Sequence, residues 1–457
     1  SNPAPRIRAL SPSSATAGDM SFALTITGTG FLPGSTVTWA GMARTATVVN
    51  ATTLRINVSA ADVATAGSPA VVVTNPSPGG GSATASFAVY APFATRTWLA
   101  GSTFRTAAGW FNNMARERVW LADIDADRID DIVGMDDDGN VWVSRGTGMA
   151  FTASTMLPAT TIFRTVADWF LTSSQPRVWL TDVTGDGRAD FVGVDSGGGI
   201  WVSESTGTAF NASRSVASTS FATSVGYFST SDREHVFLAD LNADGKTDIL
   251  GLHPTTGRIG VALATGTGSS AAFTSDATFL ATSTLTTAAD WFRTSVAPRL
   301  FLGDVTGDRR ADLVGLATNG DLYVAESTGA AMNPLRRVGS TVFSDANGWF
   351  ATPTQPRVSL ADFNGDGKLD ILGVGARAVG DGDIWTLESI GSGTTADAFQ
   401  HVLLNESVFR TAGGWFAPTS RSSVWFADVT GDGRADALGV DATGGVWVAR
   451  SIAESSS

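Results

Sequence analysis

The chemistry in this sequence is concentrated in six short acidic loops. Each runs for nine residues and sets side-chain oxygens at positions 1, 3, 5 and 9. They are Asp123, Asp125, Asp127 and Asp131 in the first loop, Asp182, Thr184, Asp186 and Asp190 in the second, and Asp240, Asn242, Asp244 and Asp248 in the third. The fourth carries Asp304, Thr306, Asp308 and Asp312, the fifth Asp362, Asn364, Asp366 and Asp370, and the sixth Asp428, Thr430, Asp432 and Asp436. Hard oxygens at alternating positions, with Gly allowing a sharp bend, suit a flexible shell of about six to eight ligands at about 2.3–2.6 Å, which is the preference of calcium. Magnesium fits less well, because it demands a stricter octahedron and keeps its waters. An EF-hand is excluded: that loop needs a bidentate Glu at its twelfth position between helices, whereas the second loop has Gly193 there and β-branched flanks. The ninth-position Asp is expected to close the shell, with a backbone carbonyl from position 7. The first loop, with Asp125 and an added Asp130, is expected to bind at least as tightly as the others, while the fourth places Arg309 at a Gly position. Six divalent ions would take the formal charge from −13 to −13 + 12 = −1, so calcium, about one per repeat, is expected to stabilise the native state by binding it preferentially.

A second constellation recurs ahead of each loop. Trp110, Trp169, Tyr227, Trp291, Trp349 and Trp415 are each followed by Phe, and Arg118, Arg177, Arg299 and Arg357 precede the next strand in four units, with His235 and Ser423 in the other two. Aromatic faces flanked by hydrogen-bonding groups suit sugar rings, whose C–H faces are apolar and whose hydroxyls need directed partners. Packing is the alternative use of the same rings: neighbours along a strand face opposite sides, so at least one of each aromatic pair belongs to a core. Trp142, Trp201, Trp385 and Trp447, alternating with Val, are expected to be core. Catalytic signals are absent. His235, His253 and His401 fall at unrelated places in the repeats, and the chain shows no nucleophile elbow, zinc motif or phosphate loop. Near-equivalent copies suit multivalent binding rather than one asymmetric catalytic centre, and the chain is read as a non-enzyme.

The elements that must hold these residues are strands. Aligning on the loops places anchors at Asp123, Asp182, Asp240, Asp304, Asp362 and Asp428, spaced 59, 58, 64, 58 and 66 residues apart. The second unit shows the order of parts: Phe163, the pair Trp169 and Phe170, a strand 177–181 entering the loop, a strand 191–194, a Gly turn, and a strand 200–203. With one further strand before the next Phe, each unit has four, and units of this length close radially as propeller blades. Residues 93–104 match the closing part of a unit without its loop, and the chain end is a unit lacking that part. Pairing the two fragments predicts a six-bladed β-propeller closed by its N- and C-terminal strands, with no open sheet edge. Ahead of it, short strands at 22–27, 37–39, 54–58 and 70–74 between Gly/Pro/Ser turns predict an antiparallel sandwich. The chain is thus read as all-β, with an immunoglobulin-like sandwich over residues 1–91 and the propeller over 92–457.

The local phrases add resemblances. Residues 10–18, 26–31 and 73–79 resemble the IPT/TIG family of immunoglobulin-like domains, which implies a spacer or a module for a protein partner. The loops resemble the calcium-binding hairpins of FG-GAP/VCBS propeller repeats. The unit's order of parts over residues 91–451 is similar to the PVL-type lectins, which implies a calcium-containing propeller taking N-acetylglucosamine or related glycans between repeats. The reading is therefore a calcium-dependent, multivalent, lectin-like extracellular protein, secreted or at the cell surface. The alternatives are an adhesion or scaffold protein gripping a protein partner and, less well supported, a polysaccharide-active enzyme. The net charge of −13 without any Lys/Arg cluster argues against nucleic acid, and no stretch of 18 apolar residues argues against membrane insertion. The opening Ser1-Asn2-Pro3 reads as a processed or engineered end. Cysteine is absent, so disulfides and thiolate chemistry are excluded.

Overall fold

In the computed structural model the described residues are 2–12, 14–16, 21–64, 67–90, 97–102, 104, 110, 118–159, 161–164, 169–170, 177–228, 235–253, 255–274, 277–280, 283–286, 291, 299–350, 357–375, 384–389, 399–405, 409, 415 and 424–451. These residues are all-β, interrupted only by short 3-10 turns such as Ala60–Val63. The chain divides into two compact units, Ser1–Ala94 with Val402–Asn405 and Ser451–Ser457, and Thr95–His401 with Glu406–Arg450.

The first unit contains two four-stranded sheets. One orders Arg6–Ser11, Phe22–Thr29, Thr53–Val58 and Ala46–Asn50; the other orders Met42–Arg44, Thr36–Trp39, Ala70–Asn75 and Gly81–Ser86. Strand periodicity sends alternate residues inward. Leu24 and Ile26, Leu54, Ile56 and Val58, and Val71 and Val73 therefore meet Trp39 and Phe87 in one core. Each full burial of such a side chain contributes about 1.5–3 kcal/mol.

In the second unit the described strands form six four-stranded antiparallel sheets. The second sheet is representative: Val178–Thr181, Asp190–Val194, Gly199–Ser203 and Arg214–Ser218 in sequence order. The sixth is different. It orders Thr97–Gly101, Gly445–Ala449, Asp436–Val440 and Val424–Ala427, so the first strand of the unit pairs with its last, Thr97 opposite Val448 and Gly101 opposite Gly445.

The strand leaving each acidic loop, for example Asp190–Val194, is buried at all five positions. Both of its faces are covered, which is why its sequence is a continuous apolar run rather than an alternation. The Gly in that strand is required by close packing: a Cβ on Gly193 would lie 2.5 Å from Phe163 and 2.7 Å from Trp169. The same clash recurs at Gly134, Gly251, Gly373 and Gly439.

Backbone hydrogen bonds tie the acidic loops head to tail. The eighth-position N–H of each loop donates to the first-position carbonyl of the loop before it: Ala189 to Asp123 at 2.8 Å, Thr247 to Asp182 at 2.8 Å, and Ala311 to Asp240, Leu369 to Asp304 and Ala435 to Asp362 at 2.7 Å. The series returns to its start, because Asp130 N–H donates to the Asp428 carbonyl at 3.0 Å.

Candidate functional site

The loop sequence folds on its own first residue. In the second loop Asp182 Oδ1 accepts the N–H of Thr184 at 3.1 Å and Gly185 at 2.7 Å, and Oδ2 accepts that of Gly187 at 2.8 Å. Taking these donors turns the backbone left-handed at the fourth and sixth positions, where Gly185 and Gly187 have φ of 73° and 83°. In other loops four non-glycine residues accept that conformation at the same positions, Ala126 and Ala243 at the fourth and Arg128 and Arg309 at the sixth. The Arg309 departure noted in the sequence therefore leaves the turn intact, since Arg309 N–H still donates to Asp304 Oδ2 at 2.6 Å.

The ninth-position Asp has a second task that the sequence did not reveal. Asp190 Oδ2 accepts Val183 N–H at 3.3 Å, and Oδ1 accepts Ser205 N–H at 2.8 Å. Asp131, Asp248, Asp312 and Asp370 repeat both bonds, the second with Gly146, Ala264, Ser327 and Ser389. It thus pins the loop to the turn after the third strand. Burial pushes the carboxyls of Asp131, Asp190, Asp248 and Asp312 up to about 7, against the lowering effect of those donors. Asp130 is also raised to about 7, by burial first and then by the charges of Asp428 and Asp123.

The first loop brings carboxylate oxygens of Asp123, Asp125 and Asp131 within 4.8 Å of one another. Asp125 Oδ1 is buried without a hydrogen-bond partner, while its other oxygen is paired with Arg145. An all-oxygen donor set with one unsatisfied buried acceptor fits calcium. Asp127 is not brought into this group; its Oδ1 accepts Ile129 N–H at 2.9 Å. In the other loops the fifth-position Asp faces the seventh-position cation: Asp186 with Arg188, Asp244 with Lys246, Asp308 with Arg310, Asp366 with Lys368, and Asp432 with Arg434. At position 3, Thr184, Thr306 and Thr430 hydroxyls approach the first Asp at 3.3, 3.3 and 3.4 Å. Asn242 and Asn364 instead accept the N–H of Asp244 and Asp366 at 2.9 Å.

Contacts between neighbouring units are denser than the sequence suggested. The hydroxyl of Ser205 donates to the Ile124 carbonyl at 2.8 Å and that of Ser327 to Leu241 at 2.7 Å, so the turn of one sheet is seated on the acidic loop of the one before. The recurring Ser205-Thr206-Gly207 and Ser327-Thr328-Gly329 were the available signal. Arg145 replaces the acid found at Glu204 and Glu326, and it does so in the one unit whose loop has Asp at position 3; the paired exchange was the clue to that ion pair.

Of the aromatic residues, Trp169, Tyr227, Trp349 and Trp415 are buried, whereas Trp110 and Trp291 are half-buried. Trp169 lies edge-on to Phe163 at 4.9 Å, and the same contact joins Trp110 to Phe104, Tyr227 to Phe221, Trp349 to Phe343 and Trp415 to Phe409. Phe111, Phe292, Phe416 and Ser423 lie outside the described residues. The position just ahead of the strand that enters each loop is buried in every described case: Arg118 and Arg177 are 5% exposed, Arg299 2%, Arg357 8% and His235 0%. The Arg118 guanidinium lies 6.0 Å over the Trp110 ring and pairs with Asp137 at 2.5 Å; that of Arg177 lies 5.6 Å over Trp169. Arg357 donates to the Gly375 carbonyl at 3.0 Å, and Arg299 stands 4.0 Å from Asp345. Trp142, Trp201 and Trp447, expected in the core, are half-buried: Trp142 and Trp201 pack against core clusters, and each of the three indole N–H groups donates to a turn carboxylate, Asp136, Asp195 and Asp441, at 3.1, 2.8 and 2.7 Å. Trp385 is half-buried too.

These features coincide with two known kinds of module. Residues 5–89 match the IPT/TIG domain, and residues 182–251 and 304–373 match the FG-GAP-like repeat, so the chain carries an N-terminal IPT/TIG domain and FG-GAP-like repeats. Among solved structures it is similar to an Agrocybe aegerita lectin described for specific recognition of non-reducing terminal N-acetylglucosamine, at 24% identity over 81% of this chain and 82% of that one, with a TM-score of 0.53. More distant likenesses are an auxiliary nutrient binding protein from Bacteroides thetaiotaomicron, at 10% identity over 98% of this chain and 97% of that one with a TM-score of 0.40, and a Bacillus licheniformis rhamnogalacturonan lyase, at 12% over 99% and 90% with a TM-score of 0.34. The lectin likeness is one of fold, and the other two fall below it. No curated protein matches the sequence. Among the described residues no helix is long and apolar enough to cross a membrane.

Proposed function

We propose that this chain is a calcium-holding, multivalent glycan-binding protein that acts outside the cell, its six sheets forming the blades of a closed propeller. The observation that carries the reading is a buried guanidinium recurring at one register, set over an aromatic ring at Arg118 and Trp110 and again at Arg177 and Trp169. A buried cation needs partners for its donors, and repeating one at a single register in four units, over an aromatic ring in two of them, suits a shared use. A sugar supplies that use: a hydroxyl or acetamido oxygen takes the N–H donors while the apolar ring face packs on the aromatic edge. The fold shared with the Agrocybe aegerita lectin makes terminal N-acetylglucosamine the first candidate.

Closure of the ring is supported by the hydrogen-bond series that returns from Asp130 to Asp428 and by the pairing of Thr97–Gly101 with Gly445–Ala449. Calcium would be held at the first loop by Asp123, Asp125 and Asp131, and at the others by their first, third, fifth and ninth positions. Its charge would hold the buried ninth-position carboxyls ionised. A binding role without turnover follows from the repetition of one chemistry, and the IPT/TIG domain serves as spacer or as the seat of a protein partner.

The test is capture on an array of immobilised glycans in calcium and in chelator. Retention on N-acetylglucosamine-terminated glycans, reduced by chelation and rising with glycan density as multivalency requires, supports the proposal. A blank array in calcium refutes it.

A further inference from the structure

Each of the six acidic loops has one carboxylate paired with a cation from its own unit. In five loops the cation is the seventh-position residue and the carboxylate is the fifth-position Asp: Arg188 with Asp186, Lys246 with Asp244 at 3.4 Å, Arg310 with Asp308, Lys368 with Asp366, and Arg434 with Asp432 at 2.9 Å. The stem of the seventh residue lies along the loop before it. A Cβ on Gly185 would stand 3.1 Å from Lys246 Cγ, one on Gly307 3.1 Å from Lys368 Cγ, and one on Gly365 3.0 Å from Arg434 Cγ. The first loop has Ile129 at this position, packed the same way, 3.1 Å from a Cβ on Gly431. Packing alone therefore does not require a charge there. Yet the first loop keeps its cation by another route. Arg145 precedes Gly146, whose N–H bonds Asp131, just as Glu204 and Glu326 precede Ser205 and Ser327, whose N–H groups bond Asp190 and Asp312. Arg145 pairs with Asp125 at the third position of the loop. The sixth-position Arg128 and Arg309 are exposed instead.

The six paired cations have side chains 17–31% exposed, so water screens them only in part. Each offsets one of the negative charges that draw calcium to its loop, and ligand charge is one of the terms that set the affinity of an oxygen site for calcium. A carboxylate oxygen held by a guanidinium or ammonium must also change partner before it can join a metal shell. We propose that Arg145, Arg188, Lys246, Arg310, Lys368 and Arg434 are resident counter-cations: each competes with calcium for one carboxylate of its loop and holds that loop's affinity down, so that the loops fill only where calcium is abundant. The inference rests on the calcium reading and adds what sets its strength.

The experiment follows the amide signals of loop glycines in 15N-labelled full-length protein as calcium is added to about 10 mM, well above the weak end of extracellular calcium modules. Arg434→Gln is the first variant, because Arg434 Nε has no hydrogen-bond partner and the change removes little beyond the pair with Asp432. The half-saturation point read at Gly433 is expected to fall roughly three- to tenfold. That read at Gly245, in the third loop, is expected to stay where it is, and Arg434→Lys to restore the wild-type value at Gly433, since Lys246 and Lys368 serve the same position. Should thermal melts show that Arg434→Gln does not fold, Arg188→Gln read at Gly187 carries the test, with the same fall expected. A half-saturation point that is unchanged or higher at the substituted loop overturns the inference and leaves calcium binding intact, the higher value assigning the cation to holding the loop in shape. No response of any loop glycine in the wild-type protein removes the calcium reading, and this inference with it.

Discussion

The ninth-position Asp shows how far one residue type can be read. Its place in the loop was legible, because oxygen ligands at fixed spacing are a sequence property. Its buried bonds to Ser205, Gly146 or Ala264 were not, because those donors come from a turn that only the folded sheet brings close. The bonds have a pH consequence. Asp131, Asp190, Asp248 and Asp312 have folded pKa values near 7, above the ordinary 3.8. Between those limits the folded state holds more protons than the unfolded one, so stability falls as pH rises from about 4 to about 7. In calcium-free buffer the melting temperature is therefore expected to drop between pH 5 and pH 8, and saturating calcium to remove most of that drop; a calcium-free melting temperature that rises over this interval would contradict the assignment. Asp125→Ala should weaken calcium binding at the first loop, read as one fewer site in equilibrium dialysis.

At the level of the element, the strand order of each unit was legible from the apolar runs around the loop, and the match holds from Val178–Thr181 through Gly199–Ser203. Which face each Trp takes was not legible. Alternation along a strand would point Trp169 and Phe170 apart, yet the pair sits in a turn rather than a strand and both rings enter one core cluster. Trp201 packs against the same cluster while its indole N–H donates to Asp195 at the rim. The packing makes a sharp prediction: Gly193→Ala places a methyl 2.5 Å from the Phe163 ring and 2.7 Å from Trp169, and is expected to destabilise by about 1–3 kcal/mol in denaturant unfolding. Asp195→Ala strips the acceptor from the Trp201 indole and should cost about 1 kcal/mol in the same assay.

For the whole molecule, the spacing of the anchors announced a repeating fold, and the two half-units announced that its ends meet. The hydrogen-bond series linking the loops was invisible in sequence, since backbone N–H and carbonyl groups carry no residue signature. That series places each candidate calcium loop in direct contact with its neighbour. Calcium at about a hundredfold excess over its dissociation constant adds about 2.7 kcal/mol per independent site. Chelation is accordingly expected to lower the unfolding midpoint of the second unit far more than that of the IPT/TIG domain, which differential scanning calorimetry resolves.

Isothermal titration of N-acetylglucosamine into calcium-loaded protein, beside Arg177→Met, tests the central claim most directly. The account predicts saturable binding at several sites and loss of one of them in a variant that still melts cooperatively. Absence of heat from the wild-type protein, or an unchanged number of sites in the variant, would contradict it.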